Sequence, residues 1–126
     1  KRGVELAKRI SKVIRSISNI KVIEATVHLN KDNPFDSDLF FNLTATDIEN
    51  KVVILVDDVL NSGKTLMYAA SEFLTVPLIK LSTVVLVNRK HNRYPIKADY
   101  EGMSLSTTLK EHINVVFGKE EGVYLS

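Results

Sequence analysis

The sequence predicts an α/β fold with a central, mainly parallel sheet flanked by helices. The main observation is the stretch Lys51–Thr65 (KVVILVDDVLNSGKT), where the aliphatic run Val52–Val56 is typical of a buried strand that stops at two acids. A helix is predicted next, from about Gly63 to Leu74, and then a strand over Ile79–Val87. Strand, helix and strand in this order indicate a right-handed crossover between parallel strands.

Length and composition indicate one domain, residues 1–126, long enough to bury about two thirds of the surface of the extended chain. The chain has no cysteine, which excludes disulfides and thiolate metal sites. A net charge of +2 gives no global signal for nucleic-acid binding. Because no apolar run approaches the roughly 20 residues of a membrane span, we expect a cytoplasmic protein without membrane contact.

The remaining chain shows weaker patterns. Apolar residues at spacings of three and four predict an amphipathic helix over about Val4–Ser18, with basic residues on its other face. A strand is predicted over Ile20–Leu29, a long loop over Asn30–Asn50, and two closing strands over Ile113–Phe117 and Val123–Leu125. His28 and His112 have no partners at metal-ligand spacing, so both are interpreted as structural or exposed.

The GKT sequence after the buried strand has two interpretations. A nucleotide-binding P-loop needs a glycine where this chain has Asp58, and a carboxylate there repels a polyphosphate. The second interpretation uses the acids: Asp57 and Asp58 face sugar hydroxyls. The loop amides, with the hydroxyls of Ser62 and Thr65, then hold one phosphate at the helix N-terminus. The ligand indicated by this pattern is a ribose phosphate.

The same stretch, VVILVDDVLNSGKT, resembles the phosphoribosyl diphosphate (PRPP) binding motif of type I phosphoribosyltransferases. Two further segments, LVNRKHNRYPIKADYEG (residues 86–102) and KRGVELAKRI (residues 1–10), are similar to the bifunctional pyrimidine-operon attenuator and uracil phosphoribosyltransferase family. The resemblance implies the type I fold, with a flexible loop over the site that matches least from about Asn33 to Asp47. It also implies that the N-terminal part of the domain is missing from this chain.

The resemblance carries site residues onto this sequence. The groups that bind PRPP and act in catalysis would be Asp57, Asp58 and Arg89, with Arg93 as the alternative arginine for the departing pyrophosphate. The ribose 5-phosphate would be held by Val59, Leu60, Asn61, Ser62, Gly63, Lys64 and Thr65. Pyrophosphate would contact Lys1, Arg2 and Gly3, and the base Tyr100 and Glu101. For Tyr100 the alternative is packing in the core. Mg²⁺ would be the cofactor, reached by Asp57 and Asp58 through water.

The implied reaction moves the phosphoribosyl group of PRPP onto a nucleobase and releases pyrophosphate. Purine-salvage relatives commonly have an aspartate at the place of Asn61, and an amide cannot serve as a carboxylate base. Uracil is therefore the favoured acceptor, although the resembled pyrimidine family has tyrosine at that place. The resemblance also implies a homodimer. The alternatives are a nucleotide-sensing regulator that binds RNA through the basic face of the first helix, and a catalytically silent nucleotide-binding domain.

Overall fold

A computed structural model of the chain describes residues 2–27, 45–108 and 110–126. The helices of this part are α1 (Arg2–Ile17), α2 (Ala45–Ile48) and α3 (Lys64–Phe73). The strands are β1 (Val52–Leu60), β2 (Lys80–Asn88), β3 (Tyr100–Ser104), β4 (Ile113–Val116) and β5 (Gly122–Leu125). His28 and most of the predicted long loop lie outside the described residues.

The central sheet has the strand order β1-β2-β3, and both neighbouring pairs are parallel. Val56 of β1 is level with Val84 of β2, which is level with Tyr100 of β3. The strands β4 and β5 form a separate antiparallel pair. Because the strands of the central sheet run in one direction, their carboxyl ends lie at one edge, where open α/β sheets bind ligands. The predicted α/β class and parallel sheet are confirmed.

The core lies between α3 and the sheet. Leu55 and Leu60 of β1 and Val85 of β2 are buried against one face of α3. That face is supplied by Leu66, Ala69, Ala70 and Phe73, whose spacings of three, one and three put them on one side of a helix. Helix α1 also packs against β1. Both long helices therefore fix the position of the strand that carries the acid pair.

Several predicted boundaries change. The strand does not stop at the acids, because β1 continues through Asp57 and Asp58 to Leu60, paired with β2 along that length. Parallel pairing supplies backbone hydrogen bonds whatever the side chain, so a charged residue does not end the strand. Helix α1 starts at Arg2, so Gly3 lies in its first turn and not in a loop before it.

The predicted strand Ile20–Leu29 is wrong over residues 20–27, which have no regular secondary structure. Apolar alternation is present there, but no described strand pairs with it, and Ile20 and Ile23 are 66% and 54% exposed. Within the predicted long loop, residues 45–48 form the short helix α2. The strand β3 was not predicted. The other two helices, β2 and the closing pair agree with the sequence within about three residues at each end.

Candidate functional site

An open pocket lies where β1 passes into α3. It is open to solvent, has a cavity volume of about 70 Å³ and is lined by the ten consecutive residues from Asp57 to Leu66. The polypeptide turns at Gly63, whose φ of 88° is in the left-handed region that glycine adopts without strain. A Cβ at Gly63 would lie 2.7 Å from Cγ2 of Ile96. The sequence therefore needs glycine here for both its backbone angle and its lack of a side chain.

The N-terminus of α3 offers backbone donors to this pocket. The first bond within the helix joins the Met67 N–H to the Gly63 carbonyl, at 2.9 Å. The N–H groups of Thr65 and Leu66 come before that bond and have no acceptor in the helix. The Lys64 N–H donates to Oγ of Ser62 at 3.2 Å. Two backbone donors and the positive end of the helix dipole thus suit one anion.

The acid pair occupies the other end of the pocket. Asp57 Oδ1 accepts the N–H of Asp58 at 2.8 Å, and Asp58 Oδ1 accepts the N–H of Val59 at 2.9 Å. These bonds fix one oxygen of each carboxylate beside the strand. The second oxygen of Asp58 lies 3.7 Å from Nε of Arg2. The side chain of Asp58 is 20% exposed, so it is held by the protein and still reaches the solvent.

The N-terminus of α1 meets this end of the pocket. The guanidinium of Arg2 donates through Nη1 to Oδ1 of Asn114 at 2.8 Å, and its Nε lies near Asp58. Gly3 packs close to β1: a Cβ there would be 3.6 Å from Oδ1 of Asp57. The structure thus brings Arg2 and Gly3 beside the acids, and their contact with pyrophosphate stays a prediction. Lys1 lies outside the described residues.

Arg89 has contacts that the sequence did not predict. Its Nε donates to Oγ1 of Thr107 at 2.8 Å, and Nη1 donates to Oδ1 of Asn61 at 2.9 Å. Its Nη2 donates to the carbonyls of Thr108 and Glu111 at 3.0 and 2.7 Å. Four of the five guanidinium N–H groups therefore have acceptors among the described residues. We call Arg89 and these four acceptors the Arg89 network.

The same network affects a nearby carboxylate. The side chain of Glu111 accepts the backbone N–H of Thr108 at 2.7 Å. That hydrogen bond, with a smaller contribution from the charge of Arg89, lowers the pKa of Glu111 below its ordinary value. Thr107, Thr108 and Glu111 are thus all bonded to Arg89, and Glu111 is also bonded to Thr108. No local sequence signal identifies this network, because its members lie up to 28 positions from Arg89 in the sequence.

Tyr100 and Glu101 lie apart from the pocket. Both are at the start of β3, and Tyr100 is 60% exposed, so it does not pack in the core. Glu101 accepts the side-chain amide of Asn88 at 2.9 Å. In the sheet register Glu101 is level with Val85 and Asp57, two strands away, which is roughly 10 Å. Neither residue lines the pocket.

The residues present suit a magnesium ion bound mainly through water and substrate. Among residues 2–27, 45–108 and 110–126, no three His, Cys, Asp or Glu side chains group as a metal cage. Asp57 and Asp58 are the acids of the pocket. Mg²⁺ typically keeps several waters and uses one or two carboxylates with substrate phosphates.

In the described part of the chain, no helix combines the length and apolar character needed to cross a membrane.

The acid pair near the carboxyl end of β1 and the N-terminus of α3 line one pocket of an α/β domain, an arrangement whose donors and carboxylates suit a sugar phosphate. A family model described as the phosphoribosyl transferase domain matches residues 1–122. The chain therefore belongs to the phosphoribosyltransferase domain family.

Curated relatives agree with this assignment. The chain is 34% identical over 123 residues to the "Bifunctional protein PyrR" of Caldicellulosiruptor bescii, covering 92% of this chain and 68% of that protein. It is 35% identical over 126 residues to the protein of the same name from Streptococcus sanguinis, covering 96% and 72%.

Solved structures share the fold. A hypoxanthine phosphoribosyltransferase from Staphylococcus aureus matches with a TM-score of 0.61 and 20% identity, over 81% of this chain and 57% of that one. A purine phosphoribosyltransferase from Pyrococcus horikoshii matches with a TM-score of 0.55 and 19% identity, over 75% and 60%. The chain thus spans little more than half the length of these structures. At this identity the likeness shows the type I phosphoribosyltransferase fold alone.

Proposed function

We propose that this chain transfers the phosphoribosyl group of PRPP to a nucleobase, with uracil as the favoured acceptor, giving the nucleoside monophosphate and pyrophosphate. The observation that carries the proposal is the pocket from Asp57 to Leu66, which joins two carboxylates to a helix N-terminus. The family membership and the name of the curated relatives support transfer to a base. The identity of the base is the finer part of the proposal.

The 5′-phosphate of PRPP is proposed to lie at the start of α3. The backbone N–H groups of Thr65 and Leu66 have no acceptor within the helix, and the hydroxyls of Ser62 and Thr65 line the same pocket. Anions are stabilised at such a helix end by the donors and by the dipole. The segment Val59–Thr65 therefore holds the phosphate and fixes the ribose relative to β1.

The ribose hydroxyls are proposed to face Asp57 and Asp58. When pyrophosphate leaves the anomeric carbon, positive charge develops on the ribose ring, and a fixed carboxylate stabilises that charge. The backbone bonds that Asp57 and Asp58 accept hold both groups in place before the substrate binds. Fixed geometry is a large part of such catalysis.

The pyrophosphate is proposed to leave on the α1 side. Arg2 lies near Asp58, and Gly3 lies beside Val56 and Asp57 of β1. Lys1, Arg2 and Gly3 thus remain the candidates for pyrophosphate contact, as does Arg89, one of whose guanidinium N–H groups has no acceptor among the described residues. Bound Mg²⁺ would neutralise charge on the pyrophosphate, with Asp57 and Asp58 holding it through water.

For the base, Tyr100 and Glu101 stay candidates from the resemblance. Because they lie roughly 10 Å from the acids, the base must extend across β2 to meet them. Asn61 is nearer, since it lines the pocket itself. Its amide cannot act as a carboxylate base, which favours uracil over a 6-oxopurine.

The function is tested by calorimetry. PRPP with Mg²⁺ is titrated into the chain, followed by uracil, hypoxanthine and guanine in turn, with pyrophosphate release measured in parallel. Binding of PRPP and turnover with uracil are expected. Turnover with a purine alone overturns the assignment of uracil, and a folded chain that binds no PRPP overturns the whole proposal.

The first prediction concerns the acid pair. Asp58→Asn keeps a side-chain oxygen for the Val59 N–H but removes the charge beside the ribose, so turnover should fall by at least about a hundredfold while the fold is kept. Glu49→Gln, which removes an exposed carboxylate outside the pocket, is the matched control. Unchanged turnover in Asp58→Asn removes Asp58 from the mechanism.

An RNA-binding regulator is the second candidate, and the exposed lysines Lys8 and Lys12 of α1 favour it. Arg9 and Arg15 contribute less to a basic face because they pair with Glu121 and Glu24. RNA affinity that falls steeply with salt, in a chain without turnover, would support this candidate.

We also propose a cytoplasmic location, which is expected from the sequence, and a homodimer, which the resemblance implies. Exposed apolar residues on α1, such as Ile17, are compatible with association.

A further inference from the structure

The Arg89 network reaches the pocket at one point, the side chain of Asn61. Arg89 lies outside the pocket lining, whereas Asn61 belongs to it. The bond between them, from Nη1 of Arg89 to Oδ1 of Asn61, is 2.9 Å long. One residue outside the pocket therefore holds a side chain of the pocket in place.

The chemistry of arginine decides how the Asn61 amide is oriented. A guanidinium has five donors and no acceptor, so the amide atom that faces it has to be the oxygen. The NH₂ group then occupies the other branch of the amide, away from Arg89. No acceptor among the described residues is bonded to that NH₂ group, whereas the oxygen already accepts a hydrogen bond from Arg89.

Arg89 is itself held firmly enough to impose this orientation. Three further bonds tie its guanidinium to Thr107, Thr108 and Glu111, so the donor that faces Asn61 is not free to rotate away. The backbone N–H of Arg89 also donates to the carbonyl of Leu60 at 3.0 Å, next to Asn61 in sequence. Both the main chain and the side chain of Arg89 are thus fixed against the segment Val59–Thr65, the proposed phosphate site, which we call the phosphate loop.

We propose that Arg89 is a positioning residue that fixes the Asn61 carboxamide, so that the pocket offers an N–H donor to a nucleobase with a ring carbonyl or an unprotonated ring nitrogen. This inference rests on the proposed function and defines the substrate class for it. A carboxylate at the same position would offer only acceptors. The Arg89–Asn61 pair therefore offers the base a hydrogen-bond donor where a carboxylate would offer an acceptor.

The test compares Asn61→Leu, Arg89→Met and the double variant with the parent chain. For each, the KM for uracil and the Kd for PRPP are measured. Losing one hydrogen bond to the base should raise the base KM about three- to tenfold, and the Kd for PRPP, measured on the same variants, separates this effect from any loss of phosphate or pyrophosphate contacts. Lys90→Met, which removes the neighbouring exposed charge, is the control and should change neither constant.

The double variant separates positioning from a purely structural role. If Arg89 acts through Asn61, the double variant has a base KM no higher than the larger of the two single values. If the two effects multiply, or if Arg89→Met lowers stability without changing the base KM, the inference is overturned.

A second readout does not need turnover. The side-chain NH₂ signals of Asn61 are assigned in a ¹⁵N spectrum by their loss in Asn61→Leu. In Arg89→Met these signals should shift and average as the amide rotates, and unchanged signals overturn the inference. If the parent chain shows no turnover with any base, the proposed function is overturned. The NH₂ signals of Asn61 still show in that case whether Arg89 fixes the Asn61 amide.

Discussion

At the scale of the residue, the part of the site that is contiguous in sequence was predictable and its partners were not. The acid pair, the glycine and the hydroxyls of the phosphate loop follow one another, so their order along the chain gives their order in the pocket. The partners of Arg89 and Arg2 come from distant segments. Arg2 and Asn114, for example, are 112 positions apart. No spacing rule links such residues, so only the folded chain reveals their contact.

Gly63 provides a residue-scale prediction with an internal control. Gly63 and Gly118 both have positive φ, 88° and 93°, but only Gly63 has a close neighbour, the Cγ2 of Ile96 at 2.7 Å from an added Cβ. Gly118→Ala should cost only the backbone strain, about 1–2 kcal/mol. Gly63→Ala should cost more, because the β-branched Ile96 is stiff.

The comparison is made by urea unfolding of both variants, with PRPP binding measured alongside. Gly63→Ala should also weaken PRPP binding, since the phosphate loop has to shift, whereas Gly118→Ala should leave it unchanged. Equal losses of stability in the two variants would contradict the role given to the Ile96 contact.

At the scale of the element, prediction succeeded where a strand or helix carries its own pattern. The apolar run of β2 and the spaced apolar face of α3 identify both without reference to neighbours. The strand β3 has no such pattern, since all five of its residues are exposed. It forms because it pairs with β2, and Gly102 permits that approach: a Cβ there would lie 2.7 Å from the Leu86 carbonyl.

One ion pair links α1 to the hairpin of β4 and β5 and gives a pH prediction. The carboxylate of Glu121 accepts Nη2 of Arg9 at 2.7 Å and the N–H of Gly118 at 3.1 Å. The Arg9 bond, followed by the Gly118 bond, lowers the pKa of Glu121 below its ordinary 4.5. A depressed folded pKa means that the stabilisation is present above pH 4.5 and is lost as the pH falls through the folded value.

Thermal unfolding from pH 7 to pH 3 tests this link. Glu121→Gln should lower the Tm at pH 7, and the difference from the parent should shrink as the pH falls below about 4.5. The neighbouring Glu120→Gln should show no such trend, because the carboxylate of Glu120 has no hydrogen-bond or ion-pair partner among the described residues. A difference that stays constant down to pH 3 would exclude an ionic contribution from Glu121.

At the scale of the whole molecule, stability depends on the contact of α3 with the sheet. Phe73 is 4% exposed and belongs to the main core, whereas the next residue, Leu74, is 61% exposed. Phe73→Ala should lower the free energy of unfolding by about 3–5 kcal/mol. Leu74→Ala should change it by no more than about 0.5 kcal/mol. Similar losses in a urea titration would show that α3 is not packed as described.

The α/β class was predictable because one contiguous stretch, residues 52–88, contains a complete strand-helix-strand unit. The arrangement around this unit was not, since it depends on pairings between segments far apart in the chain. The segment 20–27 shows the limit most clearly: its apolar alternation is that of a strand, yet no described strand pairs with it. Alternation identifies a surface that fits a sheet but supplies no neighbour.

The ties of α1 to the β4–β5 hairpin have a consequence for the order of folding. Arg2 and Arg9 both bond residues 112 positions further along, Asn114 and Glu121. Contacts of such long separation close late, since a long loop has to be ordered first. On the ribosome, α1 emerges well before its partners, so the side of the pocket next to α1 is completed only when the hairpin has been made. Refolding of the chain should thus be slow, and the ability to bind PRPP should return in its last phase.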